Sequence, residues 1–209
     1  MSLAKKIEPN ISEEDKISEA DYLAGELISD IRYEYIDGLV YAMAGASTNH
    51  NLIANNLVRE LGNTLRQKKS PCKIFSSDMK VRLSKTSTLF FYPDVMVCCD
   101  PDESDYYKQS PIIIIEVLSK STRKNDKTRK KIAYFNIPTL QEYIIIDQDY
   151  CEVEIFCNSN KWASTVYLLG DTITLASIDI SLSVEDIYYQ VNNGDMVKYL
   201  TDKEQEQTE

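Results

Sequence analysis

Four consecutive isoleucines, Ile112 to Ile115, run straight into Glu116, Val117 and Leu118. An apolar run of this length reads as a strand buried on both faces, so the chain must place layers on both sides of a sheet. A carboxylate within that strand costs several kcal/mol unless it is paired, hydrogen-bonded or coordinating a cation. Two readings stay open for Glu116. It is a strand-end carboxylate bridged to a neighbouring basic helix, or it is a metal-binding or catalytic group.

The segments around this strand sort by period. Ser18 to Asp30 reads as a short helix capped by Ser18. Arg32 to Ile36, Asp37-Gly38 and Leu39 to Met43 read as a hairpin, because Asp-Gly supplies the positive φ of a tight turn. Ser47 to Lys68 carries Leu52, Ile53, Leu57, Leu61 and Leu65 at helical spacing, with Ser47 or Thr48 as cap. Period two then predicts strands over Lys73 to Leu83, Phe90 to Cys99, Pro111 to Leu118 and Glu142 to Asp147. A helix capped by Ser121 or Thr122 runs to about Asn136 between the last two. Cys151 to Cys157 and Trp162 to Leu169 read as a meander, and Val184 to Val191 as a late helical turn. The organisation expected is an acidic mobile segment over 1–17, one domain over 18–191 and an acidic tail over 192–209.

Charge and cysteine content narrow the class. The 209 residues carry a formal charge of −10, which disfavours a protein that covers many phosphates at once. One basic run, Lys120 to Lys131, interrupts the acid and reads either as a solvated helix face or as a local phosphate-facing patch. The five cysteines include no C-x-x-C pair, so free thiols in a reducing compartment are expected rather than a zinc site. His50 is the single histidine, which excludes histidine-based metal clusters. No apolar run approaches the roughly 20 residues of a membrane span, and the first residues lack the apolar core of a secretion signal. A soluble, cytoplasmic protein is the expectation.

Asp94 is the natural companion of Glu116. It follows Tyr92-Pro93 and opens the apolar strand Val95-Met-Val-Cys-Cys. Two carboxylates on adjacent strands can converge on one hard cation, and Mg²⁺ typically takes one or two carboxylates plus water and phosphate oxygens. On the following helix Asp126, Lys130 and Tyr134 are spaced by four and share one face, so Lys130 is either a solvated lysine or an inward one. Ser119 can hydrogen-bond a phosphate. His50, near a helix start, is a cap, a general base or a phosphate contact.

Blocks of this sequence resemble a known family in order. They are Tyr33-Glu-Tyr-Ile-Asp-Gly, Ala42 to His50, Ser77-Asp-Met-Lys-Val, Tyr92 to Asp100, Glu116 to Thr122, Asp126 to Tyr134 and Leu140 to Asp147. The resemblance spans roughly Ser18 to Val191. It is to a bacterial restriction-endonuclease-like family, expanded in cyanobacteria and once catalogued as a domain of unknown function, within the PD-(D/E)XK nuclease superfamily. The resemblance implies an α/β, restriction-endonuclease-like fold: a mixed, four-stranded central β-sheet flanked by α-helices, to which the pattern of the chain adds a C-terminal β meander. It implies a metal-dependent DNA endonuclease, with Mg²⁺ or Mn²⁺ held by Asp94 and Glu116, while Glu34 is either a third ligand or an exposed strand glutamate. Enzymes of this fold often pair two sites, so a homodimer is also implied. The chain departs from the motif at one place. Two residues after the acid, where the superfamily has lysine, stands Leu118. Lys130 is the substitute expected, since the matching family block carries a lysine there, with Lys80 a weaker candidate. The alternative is a catalytically impaired relative that binds nucleic acid or a protein partner, or a structural dimer.

Overall fold

The computed structural model describes residues 16–83, 89–101 and 104–206. The acidic cluster Glu8, Glu13, Glu14 and Asp15 lies outside them, as does most of the segment read as mobile.

Helix α1 (Glu19–Glu26) is capped by Ser18, whose side chain accepts from the Asp21 N–H. It ends at Glu26, four residues before the expected Asp30. Strands β1 (Tyr33–Ile36) and β2 (Leu39–Ala42) form the expected hairpin, with Asp37 and Gly38 at φ of 50° and 97°. Glycine is needed there twice over, because a Cβ on Gly38 would lie 2.8 Å from Lys16 Cβ. Helix α2 (Thr48–Gln67) is capped by Ser47, which accepts from the His50 N–H, and it buries Ile53, Leu57, Leu61 and Leu65.

The next two expected strands each prove to be two. Lys73 to Leu83 splits into β3 (Lys73–Ser76) and β4 (Lys80–Leu83), which belong to different sheets. Phe90 to Cys99 splits at Tyr92-Pro93-Asp94 into β5 (Leu89–Phe91) and β6 (Val95–Cys98), again in different sheets. After β7 (Tyr107–Lys108) comes β8 (Pro111–Leu118), buried at every position but Ile112. Then α3 (Arg123–Asn125), a π-helical turn (Asp126–Lys130) and α4 (Lys131–Phe135) follow without a break. Strands β9 (Glu142–Asp147), β10 (Glu152–Cys157) and β11 (Ala163–Leu168) form the meander. The hairpin β12 (Thr172–Leu175) and β13 (Ile180–Ser183) is additional to the elements expected. Helix α5 (Val184–Ile187) is shorter than the turn expected over Val184 to Val191. The segment read as an acidic tail holds α6 (Gly194–Glu206), docked through buried Met196.

The central sheet has the order β11-β10-β9-β8-β6-β3 and is mixed, with β8 parallel to β9 and the other pairs antiparallel. One face carries Ile113, Ile115 and Val117 of β8 against α2, β12, β13 and α5. The other carries Ile114 and Leu118 against Tyr134 of α4 and a second sheet, β2-β1-β5-β4-β7. Both faces of β8 are therefore covered, as its isoleucines require. Burying each of those side chains contributes roughly 1.5–3 kcal/mol.

The cysteines correct an expectation. Cys72 and Cys99 form a disulfide, while Cys98, Cys151 and Cys157 are free thiols. The reason is register. The β3–β6 ladder pairs Lys73 with Cys98, and one step outward sets Cys72 opposite Cys99. The argument from five free thiols to a reducing compartment falls with this pairing.

Candidate active site

Glu116 shares a strand face with Ile114 and Leu118, so it points toward α4 and the second sheet. It is 2% exposed, and its Oε1 accepts from Tyr134 Oη at 2.8 Å and Lys130 Nζ at 3.2 Å. Asp94 arrives from the neighbouring strand. Val95 pairs with Ile115, so one further step sets Asp94 opposite Glu116. Its Oδ2 accepts from the Val117 N–H at 2.8 Å and lies 3.1 Å from His50 Nε2. Ser47, by capping α2, fixes His50 in the first turn and so aims the imidazole at Asp94.

Lys130 is the centre of the arrangement. Its ammonium lies 2.7 Å from Glu34 Oε1 on β1, 3.2 Å from Glu116 Oε1 and 3.5 Å from Asp126 Oδ1. Leu118, at the usual lysine position, is 1% exposed in the apolar layer beside Tyr134 and Tyr143. Lys130 thus enters from the helix on the side that Leu118 faces. Asp126 and Tyr134 complete the helix face, one turn to either side. Asp126 is 1% exposed, and its Oδ1 has no hydrogen-bond partner, since Lys130 is within ion-pair range only.

Crowding of like charge in a dry site sets the protonation behaviour. Burial raises the Glu116 pKa well above the usual carboxylate value; Lys130 opposes this, and Asp126 and Asp94 add to it. Burial raises Asp126 too, against the pull of Lys130 and a Thr122 hydrogen bond, with Asp94 and Glu34 adding to the rise. For Lys130 burial disfavours the charge, but Glu116, Glu34 and Asp126 outweigh it and hold the ammonium protonated. Burial likewise works against charge on His50, and the Asp94 carboxylate outweighs it, so the imidazole pKa sits above its ordinary value.

These groups line one cleft of about 670 Å³. Asp94, Glu116, Lys130, Glu34, His50 and Ser119 all reach its walls. Ser119 Oγ lies 3.0 Å from the hydroxyls of Ser121 and Thr122, which puts three hydroxyl groups together on one side. Lys80 goes elsewhere. Its ammonium is buried against Tyr92 Oη at 3.0 Å and Glu26 at 3.6 Å. Asp126 and Tyr134 are the partners sequence reasoning noticed without giving them a task; their four-residue spacing with Lys130 was the signal. The basic run mostly has structural partners. Arg123 forks onto Asp147, Lys127 reaches Glu154 at 3.8 Å and Lys131 lies over Phe156, which leaves Lys120, Lys124 and Arg129 exposed.

The donor set suits a hard divalent cation. Among the described residues no three acidic, histidine or cysteine side chains stand ready as a metal cage. Mg²⁺ does not require one, since it is commonly held by one or two carboxylates, with water and phosphate oxygens completing its shell. Asp94 and Glu116 supply that pair. Four carboxylates, those of Glu34, Asp94, Glu116 and Asp126, stand around one ammonium and one imidazole, an excess of acidic groups that a divalent cation would offset. The unpartnered Asp126 oxygen is part of that excess.

Comparison with known proteins gives consistent results at three levels. A crystal structure described as a putative nuclease belonging to DUF820, from Anabaena variabilis ATCC 29413, superposes with a TM-score of 0.65 at 16% identity. The match covers 78% of this chain and 93% of that one. The fold is the restriction-endonuclease-like α/β arrangement. Two uncharacterized proteins of Synechocystis sp. (strain ATCC 27184 / PCC 6803 / Kazusa) are similar in sequence. One, slr1290, is 33% identical over 177 residues, covering 83% of this chain and 92% of its own length. The other, sll1609, is 38% identical over 161 residues, covering 74% and 89%. The model of the Uma2 family, described as a putative restriction endonuclease, matches residues 20–185, from α1 through α5 and so across every residue of the cleft floor; the chain belongs to the Uma2 family.

Proposed function

We propose that the cleft is the site of a metal-dependent endonuclease that hydrolyses phosphodiester bonds in DNA. One observation carries the reading: the ammonium of Lys130 reaches Glu116 from the helix, which supplies the cation the strand lacks at Leu118. Asp94 and Glu116 would hold Mg²⁺ or Mn²⁺. Such a cation polarises a phosphoryl oxygen and makes water acidic enough to attack it. The chain does the rest. The Val117 N–H and His50 fix the Asp94 carboxylate, and the Tyr134 hydroxyl fixes Glu116. Lys130, buried on the cleft wall, stabilises negative charge that develops on the phosphate. The hydroxyls of Ser119, Ser121 and Thr122 offer hydrogen bonds to the flanking phosphate oxygens.

The test is plasmid cleavage with Mg²⁺ and Mn²⁺ by wild type, Asp94→Ala, Glu116→Ala and Lys130→Ala. Both carboxylate variants are expected to be inactive, and Lys130→Ala to be slower by about 10²–10³-fold, the typical cost of one charge-stabilising group. Equal nicking by all four proteins would refute the site. A second reading is favoured by Leu118 and by the tight pairing of Lys130. In it the chain binds nucleic acid or a protein without cutting. Salt-dependent DNA binding by a wild type that never cleaves would select that reading.

A further inference from the structure

An ammonium has three donors, and Lys130 spreads them unevenly. Glu34 lies at 2.7 Å, while Glu116 at 3.2 Å and Asp126 at 3.5 Å are held less closely, and Asp126 Oδ1 accepts no hydrogen bond at all. The three carboxylates come from β1, β8 and the π-helical turn, so the lysine is the point charge on which three elements converge. It is 5% exposed yet lies on the cleft wall, at the end of a flexible four-carbon stem.

We propose that Lys130 is the resident counterion of this carboxylate cluster, and that a divalent cation enters by displacing its ammonium from Glu116 and Asp126 into the open cleft while Glu34 retains it. The metal site is as in the nuclease reading, on which the proposal rests for its final step, the delivery of the ammonium to a phosphate. Glu34 is then a holder of the lysine rather than a metal ligand. The physical basis is competition. A cation on Glu116 and an ammonium 3.2 Å from the same carboxylate repel each other strongly, and the longer, weaker contacts of Lys130, to Glu116 and Asp126, are the ones that yield.

The measurement is direct Mn²⁺ titration, followed by the electron paramagnetic resonance of free Mn²⁺, for wild type, Lys130→Met and Lys130→Arg. Removing the competing charge is expected to tighten Mn²⁺ binding by at least about tenfold in Lys130→Met, with no tightening in Lys130→Arg. Equal or weaker binding by folded Lys130→Met overturns the proposal. Should Lys130→Met fail to fold, wild type decides. Amine acylation mapped by mass spectrometry should rise severalfold at Lys130 when Mn²⁺ is added, with exposed Lys124 unchanged. Unchanged labelling in the presence of bound Mn²⁺ overturns the proposal. Tightening in Lys130→Met beside a wild type that cuts no DNA would remove the nuclease reading and leave the counterion in place. Cleavage by wild type with equal Mn²⁺ affinities would do the reverse, and no Mn²⁺ binding by either protein would refute both.

Discussion

At the scale of single residues, the cleft is governed by how much negative charge one lysine can hold. Asp126 is the least well satisfied member, buried with one oxygen that accepts no hydrogen bond. Its folded pKa is raised, first by burial and then by Asp94 and Glu34, against the opposing pull of Lys130. Above the ordinary value of 3.8 the unfolded chain therefore loses its proton before the folded one, and folding is progressively penalised as pH rises through the raised value. An asparagine cannot ionise, so Asp126→Asn lacks that penalty. The metal-free variant is expected to melt about 2–4 °C above wild type at pH 7, equivalent to ~1 kcal/mol for a chain of this size. Thermal melts in EDTA from pH 7 down toward pH 4 should show the gap closing, and a gap independent of pH would contradict the assignment. Glu116 was legible from sequence because a carboxylate among isoleucines needs an explanation. The task of Asp126 was not, because a polar residue on a helix is ordinary until its burial is known.

At the scale of elements, the helix that carries Lys130 is the informative one. Spacing by four predicted that Asp126, Lys130 and Tyr134 share a face, and they do. The π-helical turn between Asp126 and Lys130 was not visible, because a one-residue widening leaves no mark in the hydrophobic pattern. A π turn holds one residue more than an α turn, so deletion of exposed Thr128 is expected to close it to an α turn and leave Asp126 and Lys130 three apart, still on one face. The deletion protein should keep the far-ultraviolet circular dichroism, a cooperative melt and cleavage. Cleavage at the level of Lys130→Ala in a folded deletion protein would mean that the widened turn itself sets the site. The strands show the same limit from another side. Alternation runs on through Ser77-Asp78-Met79 and through Tyr92-Pro93-Asp94, yet the chain changes sheets at both places. Period two reports which face is buried and not which sheet a strand joins, since β4, β5 and β6 all bury side chains in one shared layer. The proline at the second change was the available clue, and its consequence is functional: the switch leaves Asp94 at the head of β6, opposite Glu116.

At the scale of the molecule, a charge of −10 has to be reconciled with the nucleic-acid substrate proposed above. The basic run contains seven cations, but Arg123, Lys127, Lys130 and Lys131 hold the fold and the site together. Lys120 and Lys124 remain exposed beside the cleft-lining residues Ser119, Ser121 and Asn125. Any grip on nucleic acid must then be narrow. With two phosphates neutralised, the logarithm of the DNA association constant should fall with the logarithm of salt concentration with a slope of about −2. The cleavage-silenced Glu116→Gln protein, titrated with a labelled duplex at several potassium chloride concentrations, gives that slope. Lys120→Ala and Lys124→Ala should each reduce it by about one, and weaken binding to all sequences alike, because phosphate contacts carry no sequence information. A slope of about −5 or steeper would require a broad cationic face that the described residues of one chain do not present. It would point to a second copy or a basic partner completing the surface, and sedimentation of the complex would tell which.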